Sequence, residues 1–244
     1  MKDSILTVTE NIKLTQDVYR MKLQGDVSDI TAPGQFVNIK LDGLYLRRPI
    51  SVCDKDSDTV TIVYKTVGKG TKQMPTLTAG KELAVLTGLG NGYDTSVSGK
   101  NPILLGGGVG VPPMYMLAKK LINEGKQVSV ILGFNTKSEI FYEQEFKALG
   151  CSVTVTTVDG SYGTKGFVID ALPKDYSYFY TCGPELMLKA VYKAANTGGQ
   201  LSFEERMGCG FGACMGCSCK TVTGYKRICK DGPVLCKEEI LWAD

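Results

Sequence analysis

Asn101–Ala118 reads NPILLGGGVGVPPMYMLA, eighteen residues without a charge, and its interpretation decides the fold. An apolar run of about 18 residues reaches the lower limit for a helix that crosses a membrane. This run holds four glycines and three prolines, and no helix passes through such a series of breakers. It reads instead as a strand (PILL), a glycine turn and the start of a helix at Pro112 and Pro113. The prolines suit a first helical turn, where their missing N–H groups cost nothing.

That strand–turn–helix unit sets the pattern downstream. A helix MYMLAKKLINEG is followed by a strand QVSVILGF and a helix KSEIFYEQEFKALG. Strands CSVTVTTV and YSYFYTCG and a helix ELMLKAVYKAAN complete the series. Alternation of this kind predicts a doubly wound parallel sheet over residues 99–199. Upstream, residues 1–98 carry short alternating segments (ILTVTENIKL, QFVNIKL, ISVCDK, TVTIVYKTV) separated by Gly, Asp and Pro. These predict an antiparallel barrel or sandwich. Residues 200–244 hold too few large apolar side chains for a core of their own, so a metal is expected to staple them.

The composition narrows the chemistry. With 244 residues and 43% hydrophobic side chains the chain can bury a real core. Its 28 basic and 25 acidic residues leave a net charge of +3 without a basic run, so neither nucleic acid nor a membrane surface is an expected partner. There is no histidine, which removes imidazole as ligand, base or proton shuttle. The N-terminus MKDSILTVTENIKL alternates like a strand and lacks a secretory signal, so the mature chain is expected to begin there. A cytoplasmic location is the expectation, and in that reducing compartment clustered cysteines bind metal or react.

Five of the nine cysteines lie in Met207–Cys229, MGCGFGACMGCSCKTVTGYKRIC. Cys209, Cys214 and Cys217 are spaced C-x4-C-x2-C, and Cys229 follows after eleven residues. This is the plant-type [2Fe–2S] run, with Gly208, Gly210, Gly212 and Gly216 giving backbone N–H groups access to sulfur. A structural zinc site is the main rival, but it usually draws on two C-x2-C knuckles; inert buried thiols leave the interleaved glycines unexplained. Cys219, two residues beyond Cys217, points to the other face of an extended chain and is read as structural. On spacing alone Cys236 competes with Cys229 for the fourth position.

Gly106, Gly107, Gly108 and Gly110 follow an apolar strand and precede a helix, as a pyrophosphate site requires. A tight strand–helix turn is the plainer reading. No acidic residue closes the next strand at LGFN, where a ribose-binding carboxylate would stand. The segment TCGPELM puts Cys182, Gly183 and Pro184 at the C-terminal edge of a later strand, where open parallel sheets bind ligands. Cys182 there either faces a nicotinamide ring or is simply a small buried residue.

RRPISV, GGGVGVPPM and CGPELM, in that order, resemble the ferredoxin–NADP reductase superfamily. The resemblance implies that Arg48, Pro49, Ile50 and Ser51 hold a flavin on an N-terminal β-barrel, with Ile50 where the superfamily usually has an aromatic ring. It implies that the glycine loop, Gly183 and Pro184 hold the nicotinamide dinucleotide. With ERMGCGFGACMGCSC and RICKDGPVL added, essentially the whole chain is similar to the iron–sulfur electron-transfer subunits of NAD-dependent dihydroorotate dehydrogenases of pyrimidine synthesis. In that family the fourth cluster ligand directly precedes D-G-P-V, which selects Cys229, although the loop before it is shorter here. The same resemblance places Val63, Tyr64, Lys65, Gly70 and Thr71 along FAD.

The implied cofactors are FAD and a [2Fe–2S] cluster, with NAD(H) as substrate, joining two-electron to one-electron chemistry. The implied partner is an FMN-containing dihydroorotate dehydrogenase subunit, in a heterotetramer of two plus two. A sister group, the small subunits of NADH-dependent ferredoxin:NADP reductases and sulfhydrogenases, shares the three-part order, and a flavin-binding sensor is a reading from another class. Phe211 and Met215 serve either as a docking rim or as local packing. GFNTKSE offers only Lys137 to a 2′-phosphate, which favours NAD over NADP.

Overall fold

The computed structural model describes residues 1–242. Six antiparallel strands close the N-terminal barrel: β1 (Lys2–Lys13), β2 (Val18–Gln24), β3 (Phe36–Ile39), β4 (Arg48–Lys55), β5 (Thr59–Lys65) and β6 (Glu82–Leu89), in the order β1-β2-β5-β4-β3-β6. The period of two is what closes it. In β1, Leu6 and Val8 point inward and are fully buried while Ile5 stays exposed. Val37, Ile39, Val52, Ile62 and Tyr64 add to the same interior cluster.

Downstream come β7 (Pro102–Gly107), α1 (Val111–Asn123), β8 (Ser129–Phe134), α2 (Glu143–Ala148), β9 (Ser152–Thr157), β10 (Thr164–Lys165), β11 (Tyr178–Cys182), α3 (Glu185–Ala194) and β12 (Gly199–Ser202). The sulfur segment adds a hairpin, β13 (Ser218–Thr221) and β14 (Gly224–Arg227), and then β15 (Val234–Cys236). The large sheet runs β10-β9-β8-β7-β11-β12-β15, parallel throughout except that β15 lies antiparallel to β12. β12 and β15 thus carry the start and end of the sulfur segment into the nucleotide-side sheet. Leu235, Ile228, Cys217 and Cys229 then share a core with Leu105, Phe179 and Leu201.

α1 buries Met114, Leu117, Ala118 and Leu121, each large side chain contributing roughly 1.5–3 kcal/mol. Cys53 and Val63 of the barrel pack into the same cluster, and Lys119 of α1 meets Asp54 of β4 at 3.0 Å. The nucleotide-side helix therefore rests on the strand that carries RPIS.

One expected helix is cut short. KSEIFYEQEFKALG forms a single 3-10 turn at Lys137–Glu139 and then only α2, because Tyr142 sits at φ 67°. That left-handed backbone turns both Phe141 and Tyr142 into the core, and no α-helix continues through it.

Candidate functional site

The flavin-type motif lies on the barrel's outer face. β3 and β4 pair Asn38 with Pro49 and Phe36 with Ser51, and directly opposed residues share a face. Val37 and its partner Ile50 turn inward to the barrel cluster, so Asn38, Pro49 and Ser51 share the outside. All four residues Arg48–Ser51 are half-buried. Arg48 lies across Gly70, where an added Cβ would come within 2.0 Å of Nε, so these two expected flavin segments meet. The Thr71 hydroxyl oxygen accepts hydrogen bonds from the Val67 and Gly68 N–H groups at 3.0 and 3.1 Å and shapes that loop. Tyr64 turns its ring into the barrel, donating to Asn11 Oδ1 at 3.0 Å, which leaves only its backbone for a ligand. Val63 packs toward the nucleotide side, and Lys65 pairs with Asp17 at 3.2 Å.

The glycine loop and the CGP corner touch. A Cβ on Gly110 would stand 2.2 Å from the Cys182 carbonyl oxygen, and one on Gly106 2.8 Å from Val111 Cα. Gly107 and Gly183 both abut Met187. At Gly108 the demand is different: φ is +52° and a Cβ would meet nothing within 4 Å. That open side, at the N-terminal end of α1, leaves room for a phosphate to reach free N–H groups. Pro184 is the N-cap of α3. A cavity of about 430 Å³ runs from Gly183 and Pro184 past Cys219 to Trp242.

Cys182 is half-buried, yet its thiol turns inward. Desolvation pushes it up to about 12 against a hydrogen bond from Ser202. A raised thiol stays protonated at all pH values below that point, so Cys182 is no nucleophile. Iodoacetamide at about pH 8 is expected to label Cys182 only after unfolding; native labelling at the unfolded rate, read by peptide mass spectrometry, would contradict the burial.

The cysteine loop brings its sulfurs together as two pairs. Cys209 Sγ accepts N–H groups from Phe211, Ala213 and Cys214 at 3.5, 3.2 and 3.4 Å, and Cys214 Sγ accepts the Cys209 N–H at 3.5 Å. The Cys229 N–H donates to Cys217 Sγ at 3.4 Å. Burial alone would raise the Cys209 thiol, but the N–H groups of Phe211, Cys214 and Ala213 outweigh it and lower it to about 6. Burial, with the neighbouring Cys217 thiol, pushes Cys229 up to about 12. Gly210 and Gly212 hold φ of 81° and 91°, which lets the loop curl without side-chain penalty.

Among the described residues no three His, Cys, Asp or Glu side chains close around a single ion. Two thiol pairs suit a two-iron cluster held by four cysteines. Cys219 packs against the lower core. Cys236 is exposed, with its N–H bound to Glu239 at 3.1 Å. Phe211 and Met215 are exposed beside the cysteines.

Two residues escape sequence reasoning. Asn38 donates to the Cys209 carbonyl at 3.2 Å, which joins the barrel to the sulfur loop. Glu139 folds back to the end of β8, where Asn135 Nδ2 donates to it at 2.9 Å. It places a carboxylate near the end of β8, five residues past Phe134 rather than in the strand. Lys137, by contrast, lies 5.8 Å over the Tyr162 ring.

Residues 204–241 match the family model described as the iron–sulfur cluster binding domain of dihydroorotate dehydrogenase B, and residues 104–193 match the oxidoreductase NAD-binding domain. The dihydroorotate dehydrogenase B (NAD(+)) electron transfer subunit of Fusobacterium nucleatum subsp. nucleatum is 45% identical, covering 98% of this chain and 99% of that one. This chain belongs to that family of electron transfer subunits. The Geobacillus sp. member is 41% identical with 99% of each chain covered. An NADH-dependent reduced ferredoxin-NADP oxidoreductase structure superposes with a TM-score of 0.88 at 30% identity, covering 98% of this chain and 90% of that one. Membership makes the chain an oxidoreductase subunit with a catalytic counterpart, in place of the sensor reading. No helix among the described residues is long and apolar enough to cross a membrane.

Proposed function

We propose that this chain carries electrons between a dihydroorotate dehydrogenase catalytic subunit and NAD, with FAD over the outer face of β3–β4 and a [2Fe–2S] cluster on Cys209, Cys214, Cys217 and Cys229. The observation that supports it most is convergence on β4: α1 rests on one side of the strand, and Asn38, opposite Pro49, reaches the cysteine loop. Bound there, flavin and cluster supply the exchange between two-electron and one-electron chemistry.

The chain's own residues bind and orient. Arg48, Pro49 and Ser51, with the backbone of Ile50, Val63, Tyr64 and Lys65 and the turn at Gly70 and Thr71, form the flavin cradle. Gly106, Gly107, Gly108 and Gly110 open the α1 N-terminus to the pyrophosphate, and Gly183 and Pro184 shape the nicotinamide end beside Cys182. Glu139 is placed for a ribose hydroxyl and against a 2′-phosphate, which supports NADH over NADPH. The backbone N–H groups around Cys209 favour its thiolate form. Proton transfer to and from dihydroorotate belongs to the partner, an FMN-containing subunit in a two-plus-two assembly. Phe211 and Met215 form the rim facing it, and the complex is cytoplasmic.

Anaerobically purified protein should contain about two irons and two acid-labile sulfides per chain. Alone it should reduce artificial acceptors with NADH but leave dihydroorotate untouched, and the catalytic subunit should restore dihydroorotate-dependent NAD reduction. Stoichiometric zinc without sulfide, or equal kcat/KM for NADPH and NADH, would overturn the assignment.

A further inference from the structure

Asn38 joins the barrel to the cysteine loop. It is 1% exposed and lies on the outward face of β3, beside Pro49 on β4 and Leu86 on β6. Its Nδ2 donates to the Cys209 carbonyl across 171 positions of sequence. Its Oδ1 is buried and meets no donor among the described residues. Phe36 on the same strand face is apolar and enters the lower core, and an apolar side chain at position 38 would escape the cost of an orphaned acceptor. A second contact marks the same spot: a Cβ on Gly210 would come within 2.3 Å of Asn38 Nδ2. Amide and sulfur loop are therefore packed without space for any side chain between them.

We propose that Asn38 is a positioning residue that locks the cysteine loop to the flavin-bearing face of the barrel. Nδ2 fixes the Cys209 peptide against the strand pair that carries Pro49 and Ser51. This rests on the flavin and cluster assignment above. Fixing the Cys209 peptide also fixes the turn that aims the Phe211, Ala213 and Cys214 N–H groups at Cys209 Sγ. Hydrogen bonds to cluster sulfur stabilise the reduced, more negative state. Loosening the turn therefore lowers the reduction potential of the cluster.

The test uses holoprotein with full flavin and iron content; a wild-type protein lacking either would refute the assignment rather than this inference. Asn38→Leu keeps the branched shape and removes both polar ends. It should lower the cluster potential and alter the EPR spectrum of the reduced cluster. Asn38→Ala, which introduces no new bulk, should do the same. A wild-type potential and EPR line shape in a folded variant overturns the proposal. A fall in Tm with these readouts unmoved, or failure of both variants to fold, assigns Asn38 to packing alone and overturns it too.

Discussion

Cys229→Ser is expected to strip the iron–sulfur chromophore from the protein and to reduce dihydroorotate-dependent NAD reduction in the reconstituted complex by more than about 100-fold. Loss of supporting groups alone costs a metal site 10–100-fold, and a lost ligand costs at least that. Cys229 is 1% exposed and closes a sulfur pair with Cys217, so neither solvent nor a neighbouring side chain is placed to replace it. NADH oxidation by dyes that accept from the flavin should be largely spared, because the glycine loop and the RPIS strand contain no residue of the sulfur segment. Cys236→Ser, at an exposed site bound only through its backbone to Glu239, should leave the spectrum unchanged. An unaltered spectrum in Cys229→Ser together with a bleached Cys236→Ser would move the fourth ligand to position 236.

The same substitution should be felt in the fold. The cysteine loop supplies Cys217, Ile228 and Cys229 to the core under β11 and β12, and a ligand set that closes on metal couples binding to folding. The β13–β14 hairpin, tied in through Ile228 N–H to the Cys217 carbonyl, should show faster amide exchange in the variant. The seven-stranded sheet, whose inner strands bury Leu104, Leu105, Ile131 and Phe179, should not.

What could be read from the sequence was whatever is written locally. Strand alternation in β1 and β5 and the breakers in Asn101–Ala118 each lie within eighteen residues or fewer and led to the right elements; the C-x4-C-x2-C spacing is equally local. The antiparallel return of β15 onto β12 pairs Val234 with Ser202. Three apolar-to-polar residues, VLC, are too short a run to announce such a partner. The truncated α2 was hidden because Tyr142 is an unexceptional residue in an acid-and-aromatic helical pattern; its left-handed backbone follows from tertiary packing, which overrides propensity. Asn38 was invisible for a stricter reason. QFVNIKL shows a polar residue at an outward strand position, as any surface strand does, and only the folded chain places Cys209 against it. Glu139 lies in the sequence beyond the position that a Rossmann pattern inspects, and a loop returns it to the strand end.

Gly110→Ala is expected to reduce kcat/KM for NADH by about 10²-fold, the loss typical of a reacting group displaced by about 1 Å, while FAD content stays at the wild-type level. Gly110 has an ordinary helical backbone, φ −82° and ψ −10°, so alanine brings no torsional penalty. The obstacle is space: its Cβ would stand 2.2 Å from the Cys182 carbonyl oxygen and 2.6 Å from Gly183 Cα. Both are backbone atoms that cannot swing aside, so the α1 N-terminus and the CGP corner must separate. These two elements are the proposed pyrophosphate and nicotinamide ends of one nucleotide site, and a shift between them would misplace the ring relative to the β4 face. Gly108→Ala is the control with the opposite physics. Its Cβ meets nothing within 4 Å, but φ is +52°, so added backbone strain should cost the fold only about 1–2 kcal/mol of stability, with β7, α1 and β11 kept in register. NADH affinity should fall in that variant because the methyl group occupies the open side of the loop, yet bound NADH should reduce the flavin at close to the normal rate. In Gly110→Ala the rate itself should fall even at saturating NADH. Stopped-flow reduction across a range of NADH concentrations separates the two, and a Gly110→Ala protein with wild-type limiting rate would show that contact between the glycine loop and Cys182 does not set the hydride-transfer geometry.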